Sequence, residues 1–371
     1  MRSGGLAVSV VLLALPVLSA GCQASPEERG DGPAGGPADA TAVGETWETD
    51  AFTFHRISDD VWHAVGTGSM AVGANAAVLI NERDVLLVDS HVSPAAARTL
   101  LDQLGTITGK PVRYVVNTHF HFDHLHGNQV YPPEVEVIGH EFTRERVVEG
   151  GSVSGRAYEL FVEGLPERIR AVEAALDTAG TDEARRELEE RVAYLRGFRE
   201  QTDEVVPTPP TATLARRLTL FRGGREIRII HPGRGHTGGD VVVHLPGEGI
   251  LITGDLLTPG LPYMGDGFPL EWARSLESLR DLEYDVVLSG HGPAFRDRAR
   301  IDHLQAYLRD LWDRASALHD RGVGAAEAAL RIDMTDHAEH YPGITEAGVH
   351  PHAVQRIYEL IEERGDGADG M

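Results

Sequence analysis

Lysine is nearly missing from this chain: Lys110 is the only one, so arginine carries almost all the positive charge. That skew is a composition bias and excludes nothing by itself. Positive charge as a whole is short, with Lys+Arg 34 against Asp+Glu 57 and a formal net charge of −23. An acidic surface of that size repels phosphate backbones, which excludes nucleic acid as a general partner. Cysteine is absent apart from Cys22, so no internal disulfide can form and no thiolate is available to a metal in the folded part. Long apolar runs are missing too. The run from Leu6 to Ala20 is fifteen residues, and as a helix it spans only about 22 Å against a hydrocarbon core of roughly 30 Å. A membrane-spanning anchor is therefore the weaker reading. What is present suffices for a large core: 371 residues, 42% of them hydrophobic.

The first twenty-two residues have the order of an export signal: Arg2, the short apolar run, then small residues. The run ends in "LSAGC", which resembles a bacterial lipoprotein signal. That resemblance implies lipidation of Cys22, export, and a lipid anchor in the cell envelope. Residues 23–46, "QASPEERGDGPAGGPADATAVGET", are rich in Gly, Pro and Ala and read as a flexible tether. Such a chain has a root-mean-square reach of roughly 25–30 Å. The folded domain is expected over residues 47–371.

Within it, "AAVLIN" (76–81) and "DVLLVDS" (84–90) read as a strand pair around a tight polar turn. A helix is expected over "PAAARTLLDQL" (94–104), and a strand over "RYVVN" (113–117). Further strands are expected at "LARRLTL" (214–220), "EIRIIH" (226–231), "DVVVHL" (240–245), "GILITGD" (249–255) and "DVVLSGHG" (285–292). Residues 141–204 have helical character. Ala184, Leu188, Val192, Leu195 and Phe198 form an amphipathic stripe capped by Thr181, and an earlier helix carries Ile169, Val172 and Leu176. This predicts a helical hairpin inserted in a mixed α/β domain, either a structural cover or a lid. The tail, 298–371, is helical as well, with one stripe at Ile301, Leu304, Leu308, Leu311, Ala315 and Leu318 and another at Val354, Ile357 and Ile361.

The stretch "THFHFDHLHGN" (118–128) puts four histidines and an aspartate into positions 119 to 126, directly after an expected strand. Matching candidates stand at other strand ends beside glycine: His236 in "GRGHTGGD", Asp255 in "ITGDLL" and His291 in "LSGHGP", with Asp89 in "LLVDSH" upstream. Glycine lets the backbone turn sharply there, so short side chains can aim at one centre. Neutral imidazoles and carboxylates suit zinc.

His119-Phe120-His121-Phe122-Asp123-His124, followed in order by His236, Asp255 and His291, resembles the metallo-β-lactamase-fold hydrolases over roughly residues 50–295. The resemblance implies an αββα four-layer sandwich with a dinuclear site, most often two Zn2+ ions. By the family pattern His119, His121 and His236 hold the first metal. Asp123, His124 and His291 hold the second, and Asp255 bridges both. A metal-bridging hydroxide is then the nucleophile on a small-molecule substrate, Asp123 helps orient it, and Asp89 braces the histidine loop. A carbonyl ester, thioester or lactone is the expected substrate, as in the glyoxalase II-like members. β-Lactam hydrolysis and a non-enzymatic metal- or cofactor-handling role beside a periplasmic quinoprotein or sulfur-oxidation system are the alternatives. The family's cysteine-ligand β-lactamase groups are excluded. Among the other candidates, His91, beside Asp89, could touch the site mouth, and Tyr263 and Met264 could line a substrate pocket, with packing the default for each. His126, His337, His340, His350 and His352 are expected in structural or solvent-facing roles.

Overall fold

In the computed structural model, which describes residues 44–368, branched apolar runs build two sheets. Cys22, the export signal and most of the tether lie outside the described residues. The first sheet runs in sequence order: β1 (Thr46–Glu48), β2 (Phe52–Ser58), β3 (Val61–Gly66), β4 (Ala76–Ile80), β5 (Val85–Val88), β6 (Val112–Val116), β7 (Glu136–His140) and β8 (Ala212–Leu214). It is antiparallel up to β5 and parallel from β5 to β8. The second contains β9 (Arg217–Arg222), β10 (Arg225–Ile230), β11 (Val242–Leu245), β12 (Ile250–Gly254) and β13 (Val286–Ser289), with β12 and β13 parallel.

Strands β4, β5, β11 and β12 are buried along their whole length, because both faces of each sheet are covered. Alternation then sorts the side chains. Ala77, Leu79, Leu86 and Val88 meet Val243, Leu245, Ile250 and Ile252 between the sheets. Val78, Ile80, Val85 and Leu87 turn outward onto Ala96, Leu100 and Leu104 of α1 (Pro94–Leu104). Ser93 caps that helix by accepting from the Ala96 N–H at 3.1 Å, and Pro94 opens it. Leu100 is fully buried there, and truncating it to alanine should cost about 2–5 kcal/mol.

The chain then forms α2 (Phe122–Leu125), α3 (Glu141–Val148), α4 (Gly151–Ser154) and α5 (Arg156–Tyr158). A π-helical turn over Glu159–Glu163 leads into the hairpin of α6 (Leu165–Asp177) and α7 (Asp182–Thr202). Thr181 caps α7 by accepting from the Ala184 N–H at 3.1 Å. Leu165 and Leu195 of the hairpin pack with Val92 and Phe122. Outside the second sheet lie α8 (Pro269–Ser278), α9 (Arg300–His319), α10 (Ala325–Arg331) and α11 (Pro351–Ala368). Trp272, Leu276, Leu304, Leu308, Val354 and Ile357 from these helices cover Val242, Leu251 and Val287. The αββα sandwich with its hairpin and helical extension is thus the observed fold.

The sequence reading erred at 214–220. The expected single strand breaks at Ala215 and Arg216: Leu214 ends β8 in the first sheet, and Arg217 starts β9 in the second. Apolar periodicity does not show such a crossing, because Leu214 and Leu218 both pack into the core between the sheets. Strand β7 and helix α8 were not expected. No helix among the described residues is long and apolar enough to cross a membrane.

Candidate metal centre

Every candidate side chain projects from a strand end or the turn after it. Asp89 follows β5, the 118–124 stretch follows β6, His236 lies between β10 and β11, Asp255 follows β12, and His291 follows β13. Two glycines permit the convergence. A Cβ on Gly254 (φ +52°) would stand 2.6 Å from Thr118 Cβ, and one on Gly290 would strike Asp255 and come within 2.7 Å of His124 Cε1.

His119 Nε2 lies 3.1 Å and His236 Nε2 2.9 Å from His121 Nδ1. Beside them, His291 Nε2 is 3.2 Å and His124 Nε2 3.6 Å from Asp123 Oδ2. Asp255 stands between the two sets: Oδ1 is 3.4 Å from His124 Nε2, while Oδ2 is 3.6 Å from His236 Nε2 and 3.3 Å from His291 Nε2. Three groups each bring their nitrogen or oxygen atoms within 4.8 Å: His119, His121 and His236; His119, His124 and Asp255; and Asp123, His124 and His291.

The electrostatics fit a cation. Burial and then the neighbouring His121 ring hold His236 down at about 3, and burial with the surrounding rings lowers His119 well below the ordinary histidine range. Both are therefore neutral donors, the form that binds metal. Burial pushes the other way at His124, but Asp123, Asp255 and Asp89 outweigh it and raise that ring to about 10. Asp123 is held at about 2, because His124 and His291 outweigh its burial. Three carboxylates thus face one buried ring, an arrangement that suits a cation. Two buried atoms here, His124 Nε2 and Asp255 Oδ1, face each other at 3.4 Å and have no closer partner. The residues fit one or two divalent ions bound through nitrogen and oxygen.

The sequence profile of the metallo-beta-lactamase superfamily matches residues 70–291. The chain belongs to that superfamily. The linear primary-alkylsulfatase of Pseudomonas sp. (strain ATCC 19151) is 25% identical over 296 residues, covering 74% of this chain and 53% of that protein. The chain therefore spans about half the length of that relative. The type 2 metallo-beta-lactamase of Bacillus cereus is 24% identical over 271 residues, covering 71% and 84%. Among solved structures, the stereoselective inverting sec-alkylsulfatase of Pseudomonas sp. shares the fold with a TM-score of 0.60 at 17% identity, covering 83% of this chain and 50% of that one.

As in other histidine metal sites, carboxylates hold the far side of the superfamily-type rings. Asp89, itself at φ +67°, accepts from Thr118 N–H (2.8 Å) and Thr118 Oγ1 (2.9 Å) and lies 2.7 Å from His124 Nδ1. It braces the histidine loop without joining the three groups. Asp266 does the same at His121 Nε2, at 3.1 Å. Sequence reasoning missed Asp266, although it too stands between glycines, Gly265 and Gly267, in the segment after β12.

The remaining candidates separate. His91 does not reach the mouth: it is fully buried, with Nδ1 2.9 Å from Ala74 O and its ring 5.0 Å from Phe52. Met264 is buried in the core under the helical layer, whereas the Tyr263 ring lies 6.0 Å from His121. His126 packs against Phe122 and Tyr158, away from the centre. His337 meets Asp310 at 3.0 Å and His340 stacks on His303 at 3.5 Å. His350 and His352, expected to be solvent-facing or capping, instead flank Tyr263. Behind Phe122, under the hairpin, is a cavity of about 50 Å³ lined by Phe161, Tyr194, Leu195 and Phe198.

Proposed function

We propose that the protein is a metal-dependent hydrolase of a carbonyl ester, thioester or lactone, exported and held at the bacterial cell envelope by a lipid on Cys22. The observation that carries the hydrolytic reading is Asp255, whose two oxygens face the His236 side and the His124 side at once. His119, His121 and His236 would hold one ion, Asp123, His124 and His291 another, and Asp255 would be shared; zinc best matches this nitrogen and oxygen donor set. When bound, such ions supply Lewis acidity and lower the pKa of water from 15.7 to about 7.

The chain's own residues do the rest. Asp89 occupies His124 Nδ1 and Asp266 occupies His121 Nε2. Each therefore leaves the opposite ring nitrogen turned inward. Asp123, kept ionised by His124 and His291, can accept a hydrogen bond from the attacking water and orient it. No thiolate takes part, since Cys22 belongs to the export signal.

A sulfate ester is the second reading. The alkylsulfatase of Pseudomonas aligns over 296 residues, beyond the 70–291 span of the family profile. β-Lactam hydrolysis is a further reading, supported by type 2 metallo-beta-lactamase relatives such as those of B. cereus and Bacillus sp. (strain 170).

Turnover by the zinc-loaded protein on aryl esters, thioesters, lactones, phosphoesters, alkyl sulfates and β-lactams separates these. Activity on carbonyl esters supports the first reading, and activity confined to alkyl sulfates or β-lactams replaces it. Metal binding with no turnover would favour the accessory role. For the anchor, Cys22→Ser should release the protein from membranes or block its processing; unchanged retention with normal processing would refute lipidation.

A further inference from the structure

The turn that carries His291 is clamped from the opposite sheet. Asn75, just before β4, donates through its side-chain amide to Ser289 O at 3.3 Å and to Gly292 O at 2.8 Å. Its backbone N–H donates to Gly290 O at 2.7 Å. Both side-chain neighbours are carbonyl oxygens, which only accept, so the Asn75 amide turns its NH2 toward them. His63 on β3 completes the clamp. Its Nε2 lies 3.2 Å from the same Ser289 O, and burial keeps the ring neutral, so its one proton sits on Nε2. Both residues are buried. Strands β3 and β4 belong to the first sheet, whereas Ser289 ends β13 at the edge of the second.

The residues before Asn75 lie against Asp123. Ala74 N–H donates to Asp123 O at 3.4 Å, and a Cβ on Gly73 (φ +76°) would stand 2.6 Å from Asp123 Cβ. On its other side the His291 turn is tied to the Asp255 turn, with Gly290 N–H donating to Gly254 O at 2.9 Å. These contacts end on the Asp123 and His291 side of the centre. The His236 turn is held separately, by Asp240 Oδ1 accepting from Thr237 N–H at 3.0 Å and Thr237 Oγ1 at 2.6 Å. His291 is also the most exposed of the seven candidate ligands, with 20% of its side chain accessible against 8% or less for the others. Packing therefore constrains its ring least, and the backbone of its turn has to fix it.

We propose that Asn75 is a positioning residue for the half of the centre that holds Asp123, His124 and His291, with His63 as its partner. The carbonyls that Asn75 holds, Ser289 O and Gly292 O, stand on either side of His291 and so set where that imidazole points. Without the side-chain amide the turn keeps its backbone bond to Asn75 at Gly290 O but loses both flanking bonds. The ligand is then present and no longer aimed, which weakens a metal site without removing a donor. The half built on His236 and His119 does not depend on this clamp. The inference rests on the two-ion arrangement in the reading above and on no particular reaction.

The test titrates the full-length protein with zinc alone, by equilibrium dialysis against chelator-buffered zinc, and needs no substrate. His291→Ala marks the binding step that belongs to its half. Asn75→Ala should weaken that same step roughly tenfold and leave the other within about twofold. In the His291→Ala background it should cause no further loss, because it acts through His291. His63→Leu should weaken the step roughly threefold. His63→Gln, whose amide N–H can stand near the place of Nε2, should restore it. If Asn75→Ala does not fold, judged by far-UV circular dichroism, the two His63 variants decide the matter. Equal losses at both steps, loss at the other step alone, or no loss would overturn the proposal. So would an Asn75→Ala loss that persists in the His291→Ala background, or equal losses in His63→Leu and His63→Gln. A wild type that takes up a single ion would refute the two-ion arrangement and this inference together, whereas two ions indifferent to Asn75 would refute the inference alone.

Discussion

Asp255→Ala removes a buried carboxylate that faces both the His236 side and the His124 side of the candidate metal centre. Oδ1 lies 3.4 Å from His124 Nε2, and Oδ2 lies 3.6 Å from His236 Nε2 and 3.3 Å from His291 Nε2. An ion on either side would therefore lose one anionic donor. A contact to a charged group is worth about 1.5–3 kcal/mol, so each ion should bind about 10- to 150-fold more weakly. The product of the two constants should fall by about 10²- to 10⁴-fold if the losses add. Equilibrium dialysis against chelator-buffered zinc, read by elemental analysis, resolves the two steps. The far-UV circular dichroism of the metal-free variant controls for the fold. The wild type should take up close to two ions, and the variant should be weaker at both steps. Loss at one step with the other untouched, or a single tightly held ion in both proteins, would refute the shared position of Asp255.

Asp89→Ala and Asp266→Asn act through the rings they hold, His124 and His121, and each should cost about 10- to 100-fold in zinc affinity or turnover. Wild-type values in both would remove their assigned bracing role. A chelator should abolish turnover and zinc should restore it, while thiol and serine reagents should have no effect: Cys22 precedes the folded part, and Ser289 Oγ is engaged in donating to His291 O at 2.6 Å. Chelator-resistant activity lost to a serine reagent would overturn the mechanism. Away from the ligands, burial holds His63 at about 4. The unfolded chain then binds the extra proton first, so stability should fall as pH drops below 6.5, by about 2 kcal/mol at pH 5 from this ring. The gap between the urea midpoints at pH 7 and pH 5 should narrow in His63→Gln, with His91 and His126 supplying part of what remains, and an unchanged gap would exclude His63 as a source.

The candidate residues that the structure brings together were legible in sequence where the information was local. His119, His121, Asp123 and His124 share one turn after β6, and His236, Asp255 and His291 each sit beside glycine near a strand end. Strands buried on both faces read as short continuous apolar runs, and helices carry one apolar stripe at steps of three to four residues, so most elements were legible too. Harder cases lacked a local signature. Leu214 and Leu218 serve the same core from different sheets, and periodicity reports that a side chain is buried without saying in which sheet.

The sequence by itself determined the class of fold, the acidic surface, and the order of imidazoles and carboxylates that a metal centre requires. Tertiary structure alone decided that Asp266 holds His121 across 145 residues and that Tyr263 meets His352 across 89. Each of these contacts exists only once the segment after β12 is packed between the hairpin and α11. Side chains so far apart along the chain share no period, spacing or turn, and only the packing of distant surfaces brings them within hydrogen-bond reach.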